Sequence, residues 1–199
     1  MYIRKKEVWL KRVCFIIFFL YMLFLMKIIL FKYTGIGRLV EEIVNGNLEG
    51  FRSFNFIPFR TFQEFGNMMA NGEFYRGFVN LAGNIVVFIP LGYFLPLLFG
   101  KHRNIKTVIL IGFTVSCLFE ICQYIFYLGS TDIDDIILNV FGAILGSICY
   151  RWMQKITKEN GSIQYTITII LSIIGFVVAF LIAVNYFGLM FGVKASRVQ

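Results

Sequence analysis

Charged side chains are scarce in this sequence, and histidine is almost absent. Only 15% of its 199 residues are Asp, Glu, Lys or Arg, and there is one histidine, whereas 58% are hydrophobic and 24 are Phe. A water-soluble domain of this size does not need so much apolar surface. The composition therefore indicates an integral membrane protein and argues against a soluble enzyme or a soluble binding module.

Residue patterns typical of a metal or disulfide framework are also missing. The four cysteines all lie within apolar runs: Cys14, Cys117, Cys122 and Cys149. Their spacing matches no Cys/His metal motif, and cysteines in such places usually act as small packing residues. His102 lies between Lys101 and Arg103 and is expected to be a solvated loop residue. We predict no metal and no cofactor.

Five apolar runs are long enough to cross a bilayer as helices. A hydrocarbon core of about 30 Å requires about 20 helical residues. The predicted spans are about 13–31, 81–99, 107–128, 133–150 and 163–191. The predicted fold class is an all-α integral membrane protein, a bundle of about five transmembrane helices. Residues 13–191 would form one membrane domain, between a basic N-terminus at 1–12 and a tail at 192–199.

The basic residues indicate how the chain is oriented. Five of them precede the first span, and the positive-inside rule then places the N-terminus in the cytoplasm: Arg4, Lys5, Lys6, Lys11 and Arg12. The loops at 101–106 and 151–158 are basic and would also be cytoplasmic, whereas GSTDIDD, 129–135, has no Lys or Arg and would lie outside. Because membrane topology accounts for the net charge of +8, no nucleic-acid partner is expected.

The segment between the first two spans, residues 32–79, is too apolar for a free linker. Aromatic residues recur through FRSFNFIPFRTFQEF, residues 51–65. Such a segment is expected to lie on the outer membrane interface or to dip into it. We predict a membrane-associated outer segment with a short amphipathic or re-entrant structure around residues 54–65.

Acidic residues inside or beside the apolar runs are the main candidates for function. Glu120 lies within the third run, and Asp132, Asp134 and Asp135 lead into the fourth. An ionisable group in hydrocarbon is costly unless it faces protein or water, so such groups are functional candidates by default. An aspartate at a helix start also caps the helix, which would account for Asp132 or Asp134 but not for all three.

Amide side chains lie at matching positions in the neighbouring runs. Gln123 follows Glu120 by three residues and Asn139 follows Asp135 by four, so each pair shares a helix face. Asn84 descends from the outer surface in the second span and is expected at a similar depth. The sequence therefore predicts a polar cluster where the outer ends of spans two to four meet.

The order of these motifs resembles the VanZ-like family. The resemblance covers about residues 13–190 and rests on NFIPFRTF at 55–62, GNIVVFIPLGYFLP at 83–96 and FEICQYIFYLGSTDIDDIILNVFGAILG at 119–146. The family is named after a teicoplanin-resistance protein of Gram-positive bacteria. The resemblance implies a bacterial plasma-membrane protein that affects the envelope response to glycopeptides. It implicates these residues by position, without chemistry: Asn84, Pro90, Glu120, Gln123, Asp132, Asp135, Asn139 and Gly142.

Three interpretations of the polar cluster are open. The first is an outward-facing pocket for a membrane lipid, a lipid-linked envelope component or a lipoglycopeptide, in which carboxylates and amides bind polar groups and Phe side chains bind the acyl chain. The second is a membrane enzyme using Glu120 and Asp135 as catalytic carboxylates. The third is a structural network that joins helices. Arg60, within NFIPFRTF, is a further binding candidate for an acidic partner or lipid phosphate.

Overall fold

The computed structural model describes residues 2–30, 44–45, 54–72, 74–100, 104–126, 128–129 and 131–195. Side chains are described at 5–30, 44–45, 55–72, 78–100, 104–126, 128–129 and 131–179. The predictions for 31–43, 46–53, the loop at 101–103 and the last tail residues, 196–199, lie outside these ranges. The elements in chain order are α1 (Tyr2–Leu30), β1 (Phe54–Asn55), α2 (Arg60–Ala70), α3 (Phe74–Phe99), α4 (Ile105–Ile125), β2 (Thr131–Asp132), α5 (Ile133–Ile156) and α6 (Gly161–Ala195).

Five helices in the described part of the chain are long and apolar enough to cross a membrane, which confirms the predicted fold class. The qualifying stretches are Lys5–Leu30, Phe78–Phe99, Ile105–Ile125, Ile133–Ile156 and Gly161–Ala179. Helix α3 continues through both Pro90 and Pro96. The division into a basic N-terminus, one membrane domain and a tail stays a prediction.

The chain divides into two compact units. One contains Met1–Ile17 and Thr157–Gln199, and so includes the start of α1 and all of α6. The other contains Phe18–Ile156, and so includes the rest of α1 and the elements from β1 to α5. The predicted polar cluster belongs entirely to the second unit.

The second unit is built around close contact between α3 and α5. At Gly92, a Cβ atom would overlap the backbone of Ala143, and at Gly142 and Gly146 it would overlap the backbone carbonyls of Ile85 and Ile89. Glycine is therefore required on both helices, because the backbones approach too closely for any side chain. This close approach agrees with the GxxxG spacing of Gly142 and Gly146, which is typical of helix contacts in lipid.

A buried apolar cluster lies among the four long helices of this unit. Its members come from α1, α3, α4 and α5: Leu25, Ile29, Phe88, Leu91, Leu95, Val108, Phe119 and Ala143. The Tyr21 hydroxyl donates to the Val87 carbonyl at 2.6 Å, one turn before Pro90. Proline disturbs the helical hydrogen-bond ladder, so a carbonyl in this region can accept a bond from a neighbouring helix. This bond joins α1 to α3.

The outer segment contains a short amphipathic helix, α2, and a two-residue strand. Strand β1 pairs in parallel with β2, with Phe54 opposite Thr131 and Asn55 opposite Asp132. Helix α2 buries Thr61 but leaves Phe62 and Met69 exposed. The strand pair places the start of α2 beside the start of α5.

We expect Gly146→Ala to lower the free energy of unfolding by about 1–3 kcal/mol, since overpacking a close contact costs about this much. Thermal unfolding in detergent micelles would measure the change. Gly83→Ala on α3 is the matched control, because a Cβ there meets nothing within 4 Å and alanine favours a helix by about 1 kcal/mol over glycine. Equal stability of the two variants would contradict the close packing of α3 on α5.

Candidate functional site

Asp132 joins the outer segment to α5. The Asn55 side-chain amide donates to both carboxylate oxygens of Asp132, at 3.1 Å each. The backbone N–H of Asp134 donates to Oδ1 of Asp132 at 2.9 Å. Asp132 therefore caps the start of α5, as the structural interpretation of the sequence expects, and binds the outer segment with the same carboxylate.

Asp134 caps a different helix. Its Oδ1 accepts from the backbone N–H of Phe59 at 2.7 Å, and its Oδ2 accepts from that of Thr61 at 2.8 Å. Phe59 is the N-cap residue of α2 and provides no side-chain cap of its own. Asp134 supplies the missing acceptor from 73 residues further along the chain. A carboxylate at this position also interacts favourably with the positive end of the helix dipole.

The turn that presents these N–H groups has an unusual backbone. Phe59 has φ 68°, in the left-handed region that non-glycine residues seldom adopt. Asn55 Oδ1 accepts from the backbone N–H of Ile57 at 3.4 Å, which supports the chain just before Pro58. The NFIPFRTF element is thus a turn whose donors face the carboxylates at the start of α5.

Glu120 extends the network into α4. Its Oε2 accepts from the backbone N–H of Asp132 at 2.9 Å, and its backbone carbonyl accepts from the Thr131 hydroxyl at 3.4 Å. The Asn84 side-chain amide donates to Oδ1 of Asp135, which joins α3 to α5. The carboxylates of Glu120, Asp134 and Asp135 are buried, each residue at most 5% exposed.

Two further amides lie at helix contacts next to this cluster. Asn139 donates to the Ser116 hydroxyl at 2.9 Å, between α5 and α4. Gln123 donates to the Ile29 carbonyl at 2.8 Å, between α4 and α1. In the described part of the chain, neither Oδ1 of Asn139 nor Oε1 of Gln123 has a hydrogen-bond partner, although both are buried. Each amide oxygen can still accept a bond from water or from a ligand donor.

Arg60 lies apart from the buried carboxylates. Its Nε donates to Glu64 Oε1 at 2.8 Å within α2, and both side chains are about half exposed. An exposed pair of this kind contributes little to stability. Hydrogen bonds thus join Glu120, Asp132 and Asp134 in one set and Asn84 to Asp135 in another, whereas Arg60 lies on the surface. The amides of Asn139 and Gln123 bond to other residues at neighbouring helix contacts.

Burial raises the pKa of Asp132 above its usual value, against the opposing effect of the hydrogen bonds from Asn55 and from the Asp134 backbone. The nearby carboxylates Asp135 and Asp134 raise the pKa further. Relative to its protonated form, the ionised form of Asp132 is therefore less stable in the folded protein than in water. Within the described residues, His, Cys, Asp and Glu form no group arranged to bind a metal ion.

The sequence pattern did not single out several hydrogen-bond partners of the predicted site residues, among them Asn55, Thr61 and Ser116. Asn55 is the first residue of NFIPFRTF, so the motif itself was the available signal for it. Thr61 contributes only a backbone N–H, which no residue pattern reveals. Ser116 precedes Glu120 by four residues on the same face of α4, and that spacing could have identified it.

The helices and the buried polar network define the protein as a multi-pass helical membrane protein. The chain belongs to the VanZ/LLP1 family, whose profile matches residues 18–154. It is 33% identical over 104 residues to Protein VanZ of Enterococcus faecium. That alignment covers 52% of this chain and 56% of the relative, so the chain spans about half the length of the curated relative that it matches. No solved structure matches.

We expect Asp134→Asn to destabilise the attachment of α2, because an amide offers one oxygen to two backbone donors and brings its own N–H groups against them. An unsatisfied buried donor costs about 1–3 kcal/mol. Hydrogen exchange of the Phe59 and Thr61 amides would report the loss as faster exchange. Glu64→Gln is the control, since it alters an exposed carboxylate of the same segment and should leave these two amides protected.

The raised pKa of Asp132 predicts a pH effect on stability. The folded protein binds the proton of the Asp132 carboxyl group more tightly than the unfolded chain does. The resulting contribution to folding stability is therefore fully present below the ordinary aspartate pKa, about 3.9, and is lost as pH rises through the raised pKa. We expect Asp132→Asn to remove this fall from a plot of melting temperature against pH. Parallel plots for the wild type and the variant would contradict the shift.

Proposed function

We propose that this protein affects the response of the bacterial cell envelope to teicoplanin-type glycopeptides by binding a lipid or lipid-linked component. With the N-terminus in the cytoplasm, as the basic residues suggest, the outer segment and the start of α5 would face the cell exterior. The proposal is supported chiefly by the apolar surface of that segment, which is held in place by two carboxylates. Membership of the VanZ/LLP1 family agrees with it.

The apolar surface consists of Phe56, Ile57, Phe59 and Phe62, which are exposed to between 43% and 66%. Phe59 and Phe62 contact each other, with ring centroids 6.0 Å apart. Exposed aromatic residues at a membrane boundary suit the acyl portion of a lipid or of a lipoglycopeptide. Arg60 adjoins this surface and is half exposed, so its guanidinium would suit a phosphate group of the same ligand.

On this proposal, the main role of the buried carboxylates would be to hold the apolar surface in place, and direct contact with the ligand would be secondary. Asp134 and Glu120 accept bonds from backbone N–H groups, and Asp132 accepts from both Asn55 and the backbone. Polar groups of the ligand could instead reach the part-buried Asp132. This arrangement modifies the pocket predicted from the sequence by giving its carboxylates a positioning role.

A purely structural role for the cluster is the second candidate, and the same hydrogen bonds favour it. Every one of the four carboxylates accepts at least one bond from the protein itself. On this interpretation the network fastens α3, α4 and α5 to one another and has no ligand. The two candidates differ in what happens when the exposed surface is changed and the network is left intact.

The decisive experiment compares three proteins at matched membrane levels in a teicoplanin-sensitive Gram-positive host: wild type, the double variant Phe56→Ser, Ile57→Ser, and Asp135→Asn. We expect the wild type to raise the inhibitory concentration of teicoplanin but not that of vancomycin. The double variant should lose most of this increase without a change in melting temperature, since each exposed apolar side chain contributes up to about 1.5–3 kcal/mol when a partner buries it.

The variant Asp135→Asn tests the structural role. It should lower teicoplanin protection only in proportion to a fall in melting temperature, because its carboxylate joins α5 to α3 at Asn84. If the double variant protects as well as the wild type, the apolar surface has no part in the function. If the wild type protects against neither drug at verified expression, the glycopeptide proposal is wrong.

A further inference from the structure

In the unit formed by Met1–Ile17 and Thr157–Gln199, residues 7–14 of α1 lie beside the first turns of α6. The Glu7 side chain contacts Gly161, and the Cys14 thiol donates to the Tyr165 carbonyl at 3.9 Å. From the first contact to the second, the residue number increases on both helices, so the two helices run parallel here. The Glu7 carboxylate lies beside the first residue of α6, where it interacts favourably with the positive end of that helix dipole.

A groove opens between these two helix starts. It is lined by Lys6 of α1 and by Ser162, Ile163, Thr166 and Ile167 of α6, and has a volume of about 180 Å³. One ammonium group, two hydroxyl groups and two isoleucine side chains face it, and none of these five residues is acidic. The lining therefore combines a cationic end with an apolar wall, which suits an anion that carries a hydrocarbon chain.

The position of the groove indicates where such a ligand would come from. The spans predicted from the sequence begin at about residues 13 and 163, and the contact between Cys14 and Tyr165 places these two starts at the same level. Ser162 therefore lies just before the start of its span and Lys6 about 10 Å before the start of its own by helical rise, near the level of the lipid headgroups. At this level an anion with a hydrocarbon chain is a membrane lipid with its phosphate at the surface.

The groups on the groove can contact a phospholipid in complementary ways. Lys6 makes no ion pair with any residue that the structure describes, so its ammonium is available to a phosphate. The Thr166 hydroxyl donates to the Ser162 carbonyl at 2.8 Å, which leaves its oxygen to accept a bond from a headgroup hydroxyl. Ile163 is 49% exposed and extends the apolar wall away from Lys6.

We propose that this groove is a binding site for an anionic glycerophospholipid. The lipid phosphate lies on the Lys6 ammonium and the Ser162 hydroxyl, and the first methylene groups of an acyl chain lie on Ile163 and Ile167. This site is built from other residues than the outer polar cluster, and it does not depend on the glycopeptide proposal.

Trp9 provides a local probe, because it lies three residues after Lys6 on α1 and is 62% exposed. In the 199-residue chain with Trp152→Phe, Trp9 is the single tryptophan. Reconstitution into bilayers that contain brominated phosphatidylglycerol or brominated phosphatidylcholine gives the relative affinity of the two lipids from quenching of Trp9 fluorescence. We expect phosphatidylglycerol to be preferred by about five-fold, which one lysine contributes at a membrane surface.

Lys6→Gln should abolish this preference, and Lys5→Gln should leave it intact. The two variants remove the same charge from adjacent positions, and only Lys6 lines the groove. Circular dichroism and melting temperature would confirm that both are folded. Equal losses in the two variants would show diffuse attraction to a basic surface and would overturn the proposal, as would the absence of any preference in the parent protein.

Two further experiments test whether the ligand is a lipid. Ile163→Ser should weaken binding of phosphatidylglycerol without altering the charge, because it removes part of the apolar wall. Soluble glycerol 3-phosphate should not restore the fluorescence that brominated phosphatidylglycerol quenches. If it does, the groove binds phosphate as a free anion, and the assignment to a membrane lipid is wrong.

Discussion

The attachment of the outer segment to the membrane helices depends on two carboxylates at the start of α5. Asp132 binds the side chain of Asn55, and Asp134 binds the first free N–H groups of α2. A helix of 11 residues is marginal in water on its own, and α2 has no cap from its own N-terminal residue. The position and the existence of α2 therefore both depend on residues that belong to another helix.

The close contact of α3 with α5 determines where those carboxylates lie. Glycines on both helices let the backbones touch, and this brings Asn84, the residue before Ile85 at the contact, against Asp135, about two turns before Gly142 on α5. Hydrogen bonds between helices are valuable in an apolar surrounding, because the alternative is a buried polar group without a partner. Tight packing and polar bonding thus act together: the glycines set the distance, and the amide and carboxylate pairs set the register.

The helices could be predicted from the sequence because length and apolar composition are local properties. The GxxxG spacing of Gly142 and Gly146 is likewise local and is typical of a close helix contact. The pairing of polar residues was harder, because it depends on how far one helix is rotated and shifted against another. A run of aspartates before α5 suggested a cap for α5, but nothing local shows that Asp134 caps α2 instead. The role of Asn55 in fixing Asp132 required the same non-local information, as did the half-exposed position of Arg60.

The bond between Asn55 and Asp132 joins residues that are 77 positions apart, and the two-residue strand pair at the same place is equally non-local. During synthesis at about 5–20 residues per second, the outer segment emerges roughly 4–15 seconds before its partners do. Throughout that interval the side chain of Asn55 and the N–H groups at the start of α2 lack these partners. Attachment of this segment is therefore a late event that requires α5 to be in place, and every mutation that delays the placement of α5 prolongs the time for which an aromatic segment is unanchored.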